Sequence, residues 1–267
     1  LWRCAEFTAN SAKVLGNISE EKKYRDLAES TKQAFFKRFY DAEKGSYGNA
    51  GGNIFALKMG VPDSQYKNVV DALKKNIKAN NGHLDTGIFG TQFFFEVLSE
   101  NGMHDLAYEA MNKKDEPGYG RWLELGATTT WEKWGTGGSH NHPMFGGGLV
   151  WYYRKLAGMN TDLNEPAYRH IIFCPQPVDA MSFAKYYNNT SYGEAGIYWE
   201  NENENFSMEI VVPVGSHATV YIPAKQNQQV FESGESVLNS EYIKAAGEKD
   251  GYKIFSVNSG TYKFKVE

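Results

Sequence analysis

The chain has 267 residues, a net charge of -4, and 41% hydrophobic against 22% charged residues. That length is enough for one large domain or two ordinary ones, and the composition excludes wholesale disorder. The acidic balance without a basic block excludes nucleic acid as the main partner, and no apolar run approaches the ~18 residues of a membrane span.

The first residues already read as helix. Trp2, Ala5, Phe7, Ala9, Ala12 and Leu15 recur near helical spacing, and Gly16-Asn17 ends the pattern. A chain that opens on Leu1 inside a helix is expected to be a piece of a longer protein, so the lack of a leader says nothing about compartment. Ser19 with Glu20 and Glu21 predicts a capped second helix, carried by Tyr24, Leu27, Ala28, Thr31, Ala34, Phe35 and Phe39 and stopped by Gly45. Asn53 to Met59 reads as a third, ended by Gly60. Ser64 is expected to cap a fourth, with Val69, Val70, Leu73 and Ile77 inside. Thr86 to Leu98 is apolar almost all round, the mark of a helix buried on most sides. Met103 to Met111 adds another helix. Asp115 to Asn141 is rich in Gly, Trp, Thr and His without a period and reads as a loop. Gly146 to Leu156 returns to helix.

The period then changes to 2. Phe206, Met208, Ile210 and Val212 alternate with polar or outward positions, as do Ala218, Val220 and Ile222. Gly193 to Trp199 reads as the strand before Phe206, joined through a polar Glu200–Asn205 turn. Asn258-Ser259-Gly260, between Tyr252–Val257 and Tyr262–Val266, is a hairpin signal. A helical block followed by a β block predicts two domains, 1–162 and 163–267, the second an antiparallel β-sandwich. Repeated helix pairs without a sequence period point to an α/α barrel or solenoid, whose loops at one end carry the site.

The chemistry concentrates in Gly126-Ala127-Thr128-Thr129-Thr130-Trp131-Glu132-Lys133-Trp134. One carboxylate stands between two indoles. Indole faces stack on sugar rings and exclude water, and a glycosidase needs carboxyl groups on both sides of the scissile bond. Glu132 can supply one of them. Equally, Glu132 can be an ordinary loop acid, with Trp131 and Trp134 filling core. His140 and His142 lie two residues apart with no third ligand in view, so hydrogen bonding is expected of them and no metal. His83, at the start of the buried helix, can face a barrel mouth and touch substrate. Asp85 and Thr86 stand where a helix cap is expected. Asp85, Asp115, Glu116 and Glu124 are unranked candidates for a second acid. Cys4 and Cys174 form neither a disulfide framework nor a zinc site.

Several stretches carry a resemblance together. They are Gly82-His83-Leu84 with Thr86-Gly87-Ile88-Phe89-Gly90-Thr91, Asp105-Leu106-Ala107-Tyr108, the Thr128-Thr129 and Trp131-Glu132-x-Trp134 loop, Asn141-His142, and Trp151 with Leu156-Ala157-Gly158. In this order they resemble bacterial α-L-rhamnosidases of glycoside hydrolase family 78, and the strands from Gly196 to Pro223 are similar to the sandwich that follows the barrel in that family. The resemblance implies a partial (α/α)6 barrel followed by an antiparallel β-sandwich. It implies inverting hydrolysis of terminal α-L-rhamnosides, no cofactor, and a rhamnose-containing glycan or glycoside as partner. It places the family's general base on Glu132, a pocket-lining histidine on His142, and apolar pocket walls on Trp131 and Trp134. A bacterial, periplasmic or secreted protein is implied.

Two departures bear on this. The family's general acid lies in an acidic Asp-Glu-Arg-x-Gly-Trp-like segment with no counterpart among these residues. Pro117-Gly118-Tyr119-Gly120 stands where the family commonly has Pro-Ser-Trp-Gly. The chain is therefore expected to hold the base, lack the acid, and be inactive alone. The alternatives are a non-catalytic carbohydrate-binding protein on the same fold and an (α/α)6 glycosidase for another sugar.

Overall fold

Helix-forming periodicity becomes eight helices in the computed structural model, which describes residues 1–202 and 205–267. They are α1 (Trp2–Val14), α2 (Ile18–Phe39), α3 (Ala50–Met59), α4 (Asp63–Ala79), α5 (Gly87–Glu100), α6 (His104–Met111), α7 (Tyr119–Glu124) and α8 (Gly147–Trp151), the last continued by a π-helical turn over Tyr152–Leu156. The strands follow: β1 (Met159–Thr161), β2 (His170–Phe173), β3 (Phe183–Thr190), β4 (Gly193–Glu202), β5 (Asn205–Val212), β6 (His217–Pro223), β7 (Val230–Glu232), β8 (Glu235–Ser236), β9 (Ile243–Lys249), β10 (Tyr252–Val257) and β11 (Gly260–Val266). The chain divides into two compact units. One comprises residues 1–101 and 109–145, the other 102–108 and 146–267.

In the first unit, α1 buries only Ala5, Ala9 and Ala12, so the small residues let it lie close on α2, while Phe7 and Leu15 stay exposed. The cap of α2 is Asn17, whose Oδ1 accepts from Glu20 N–H at 3.3 Å, and not Ser19. Asn17 precedes the first helical residue, where a side-chain oxygen meets the unpaired N–H groups. α2 ends at Phe39, before Gly45, because Asp41 and Ser46 pair their backbones in a short bridge. α4 starts one residue before Ser64 and buries Val69, Leu73 and Ile77. Gly60 closes α3 in the left-handed conformation that glycine adopts without a Cβ clash.

The apolar helix α5 is the core of this unit. Phe93, Phe94, Phe95, Val97 and Leu98 are buried, whereas Ile88 and Phe89 at its start are exposed. Thr86 precedes it without making a side-chain cap bond, and its hydroxyl meets that of Thr91 at 3.2 Å. Beside it, the fully buried Asn53 satisfies its amide completely enough to sit among hydrocarbon. Its Oδ1 accepts from Tyr47 N–H at 2.8 Å and Ser46 Oγ at 3.1 Å, and its Nδ2 donates to Asn76 Oδ1 at 2.9 Å.

In the second unit the period-2 residues face one another across two sheets. Their orders are β1-β2-β6-β10-β9 and β3-β4-β5-β11-β7-β8. All pairs are antiparallel except β2 with β6. Phe206, Met208, Ile210 and Val212 of β5 are buried, as are Ala218, Val220 and Ile222 of β6. β4 and β5 form the expected hairpin, with Glu202 opposite Asn205; residues 203–204 of its turn lie outside the described residues. The Asn258-Ser259-Gly260 signal is corrected. β10 pairs β6 and β9, while β11 pairs β5 and β7, so this turn carries the chain from one sheet to the other. Phe255 and Phe264 consequently stack across the core at 6.5 Å instead of side by side on one sheet. Among the described residues, no helix is long and apolar enough to cross a membrane.

Candidate active site

The aperiodic segment contains one short helix that the composition concealed. Gly-Pro-rich flanks suppress the helical pattern, yet Tyr119 and Trp122 fall three apart and both are buried on the same face of α7. After Gly126 the chain folds back on itself in two arms, 129–132 and 139–142. His142 N–H donates to Thr130 O at 2.8 Å, Thr130 Oγ1 donates to His142 O at 2.6 Å, and Glu132 N–H donates to Ser139 O at 2.9 Å. Thr129 Oγ1 also donates to His140 O. Thr129 and Thr130 thus supply short side chains that stitch the arms together at positions no helix or sheet could satisfy.

Glu132 sits at the head of this double arm, half-buried. Its Oε2 accepts the backbone N–H of Ser139 at 2.8 Å. Gly138 makes this possible. It adopts φ +78°, and a Cβ there would come within 2.9 Å of Glu132 Oε2 and 3.3 Å of Glu132 Cβ. A side chain at 138 therefore meets both a strained backbone and the carboxylate itself.

The two indoles are held in different ways. Trp131 is 5% exposed, and the imidazole of His140 lies flat on it at 3.9 Å with 5° between the planes. His140 Nε2 donates to Thr136 O at 3.0 Å, which keeps that imidazole in place. Trp134 is half-buried in an aromatic cluster with Trp122 at 4.5 Å, Phe145 at 4.4 Å and Tyr119 at 5.2 Å. Trp122 in turn donates its Nε1 to Lys133 O at 2.9 Å, and the Tyr119 hydroxyl donates to Phe145 O. Both tryptophans flanking Glu132 are thereby fixed, Trp134 by the aromatic cluster and Trp131 by the stacked His140 imidazole.

His142 is half-buried and accepts the Met144 N–H on Nδ1 at 3.2 Å, which puts the hydrogen of the neutral ring on Nε2. His83 is buried, and both of its ring nitrogens meet oxygens: Nδ1 and Pro117 O at 2.9 Å, Nε2 and Asp115 Oδ2 at 3.2 Å. It ties the start of α5 to the 115–117 segment. Glu116 lies against the tip of the double arm, where a Cβ at Gly135 would be 3.2 Å from its Oε1. The structure thus gathers Trp131, Glu132, Trp134, His140 and His142 in one loop. Sequence reading missed Trp122 and Tyr119 beneath it and the Ser139 N–H that holds the carboxylate. Only the i, i+3 spacing of the two aromatics signalled their shared face. Both cysteines are free, and burial pushes the Cys174 thiol up to about 11, which keeps it protonated and unreactive.

Comparison with known proteins agrees with this architecture. The bacterial alpha-L-rhamnosidase 6 hairpin glycosidase domain matches residues 1–156, and the bacterial alpha-L-rhamnosidase C-terminal domain matches residues 160–236. An alpha-L-rhamnosidase of Formosa agariphila is 29% identical over 98% of this chain and 30% of its own length. One of Streptomyces avermitilis is 28% identical over 98% of this chain and 26% of its own. The structure of alpha-L-rhamnosidase from Dictyoglumus thermophilum superimposes with a TM-score of 0.88 at 34% identity, covering 100% of this chain and 31% of that one. The Streptomyces avermitilis enzyme complexed with L-rhamnose gives 0.85 at 27% identity, covering 98% and 26%. The chain therefore spans less than a third of these relatives, and it belongs to the bacterial α-L-rhamnosidase family.

Proposed function

We propose that this chain is the base-bearing part of an inverting glycoside hydrolase that releases terminal α-L-rhamnose from glycans or glycosides. Glu132 is the general base. The observation that carries this reading is the fixed carboxylate: one oxygen is pinned by the Ser139 N–H at 2.8 Å, between two immobilised indoles in the chain. A carboxylate so held can take a proton from a water within about 2.6–3.2 Å. The water oxygen bonds to the anomeric carbon, its proton passes to Glu132, and the bond to the aglycone oxygen breaks as an acid protonates that oxygen. On this reading the acid comes from outside these residues, and the chain alone is expected to be inactive.

Trp134 forms the apolar wall beside the sugar, Trp131, buried under the His140 imidazole, backs the loop, and His142 offers Nε2–H to a sugar hydroxyl. His83 is read as a further substrate-binding residue, and it also holds Asp115 and Pro117 against the start of α5. The chain is read as a barrel part, 1–162, and a sandwich, 163–267, a reading supported by the separate matches to 1–156 and 160–236, although β1 of the five-stranded sheet falls just before that boundary. The full-length parent is expected to release 4-nitrophenol from its α-L-rhamnoside and to leave the corresponding glucosides intact. Glucose release would favour an enzyme for another sugar. Rhamnose binding without turnover would favour a lectin-like role.

A further inference from the structure

In the second unit, two imidazoles and two carboxylates converge where the neighbouring strands β2 and β6 of the five-stranded sheet begin. β2 and β6 run parallel in a register that sets His170 opposite His217. Their rings stack at 4.5 Å with 13° between planes. The 162–170 segment between β1 and β2 folds back over them. Glu165 brings Oε1 to 3.7 Å from His217 Nε2. One ligand atom from each of Glu165, His170 and His217 lies within 4.8 Å of the other two.

The arrangement around His170 is directional. Its Nδ1 meets Asp162 Oδ2 at 2.8 Å, and its Nε2 meets Thr219 Oγ1 at 2.8 Å. A carboxylate only accepts, so Nδ1 carries the hydrogen and the neutral ring presents a lone pair on Nε2. Asp162 is itself fixed, since its Oδ1 accepts from Asn164 N–H at 2.8 Å. A carboxylate that orients the far nitrogen of a histidine is the habitual outer partner of a metal-bound imidazole. The segment also stores strain where it positions Glu165: Ala167 and Tyr168 adopt successive left-handed conformations at φ +61° and +66°.

The geometry points to a divalent transition-metal site made by Glu165, His170 and His217, with Asp162 as the positioning residue. Two imidazoles and a carboxylate suit zinc or a similar imidazole-preferring ion, and not magnesium or calcium, which favour all-oxygen shells. Bound, the ion displaces the Thr219 hydrogen bond at His170 and draws the partly exposed Glu165 and His217 inward. Arg169, whose Nε lies 3.8 Å from Glu165 Oε2, is exposed enough to move aside. The ion would clasp β2, β6 and the intervening segment together, a stabilising role independent of the hydrolytic reading.

The test is a calorimetric titration of the untagged chain with zinc chloride. One equivalent is expected to bind, magnesium chloride is expected to give no heat, and the Tm is expected to rise with zinc and fall back with chelator. His217→Asn and, separately, Glu165→Gln, both partly exposed and therefore tolerant of change, are expected to weaken zinc at least tenfold. Asp162→Asn, which touches no ion, is expected to weaken it by about 10–100-fold. Absence of zinc uptake by the wild type overturns the site. So does unchanged affinity in both His217→Asn and Glu165→Gln, which would place the ion elsewhere, for instance on His140 and His142.

Discussion

Glu132→Gln in the full-length parent is expected to lower kcat on an aryl α-L-rhamnoside by about 10²–10⁴-fold, the range for loss of a positioned proton acceptor. Glutamine keeps the size of the side chain and an oxygen that can still accept the Ser139 N–H. The loop should therefore stay folded, and KM should change little, because the loss falls on a proton transfer made in the transition state and not on ground-state contacts. The measurement is steady-state kinetics beside a circular dichroism spectrum of the same sample. A folded variant with full activity would reject Glu132 as the base. A folded variant with unchanged kcat and raised KM would make it a binding residue.

The second large effect concerns stability. Trp199 on β4 is fully buried and donates its Nε1 to Leu156 O at 2.9 Å, with Phe206 stacked nearby at 6.2 Å. Trp199→Ala is expected to cost about 3–5 kcal/mol of unfolding free energy, because a cavity replaces the largest side chain in this core. Trp199→Phe should cost less, about 1–3 kcal/mol, since it keeps most of the packing and leaves only the Leu156 carbonyl without its donor. Denaturant unfolding of the two variants decides between packing and the hydrogen bond. Equal losses would mean that the bond to the last helical carbonyl dominates.

Local periodicity carried much of the fold into view. The buried faces of α4 and α5 and the alternation of β5 and β6 follow directly from residue spacing, because one side of each element faces hydrocarbon. What escaped was set by partners distant in sequence. The 258–260 turn has hairpin chemistry, but turn residues encode the reversal and not which sheet receives the next strand. α7 was hidden by glycines on either side, and its two aromatics make sense only with Trp134 and Phe145 packed on them. In the loop, a carboxylate between two indoles was legible as a candidate. The Ser139 N–H and the Gly138 conformation that hold it required the chain to fold back on itself. His170 and His217 had no sequence signal at all, since a parallel register brings them together across 46 intervening residues.

The role of a water-activating carboxylate has one stereochemical consequence. If Glu132 deprotonates water on the face opposite the departing aglycone, the first sugar released from an aryl α-L-rhamnoside is the β anomer. Proton NMR of the anomeric signals in the first minutes of the reaction, before mutarotation mixes them, measures this directly. β-L-rhamnose appearing first is the expected result. α-L-rhamnose appearing first would mean a covalent intermediate and would contradict a base at Glu132.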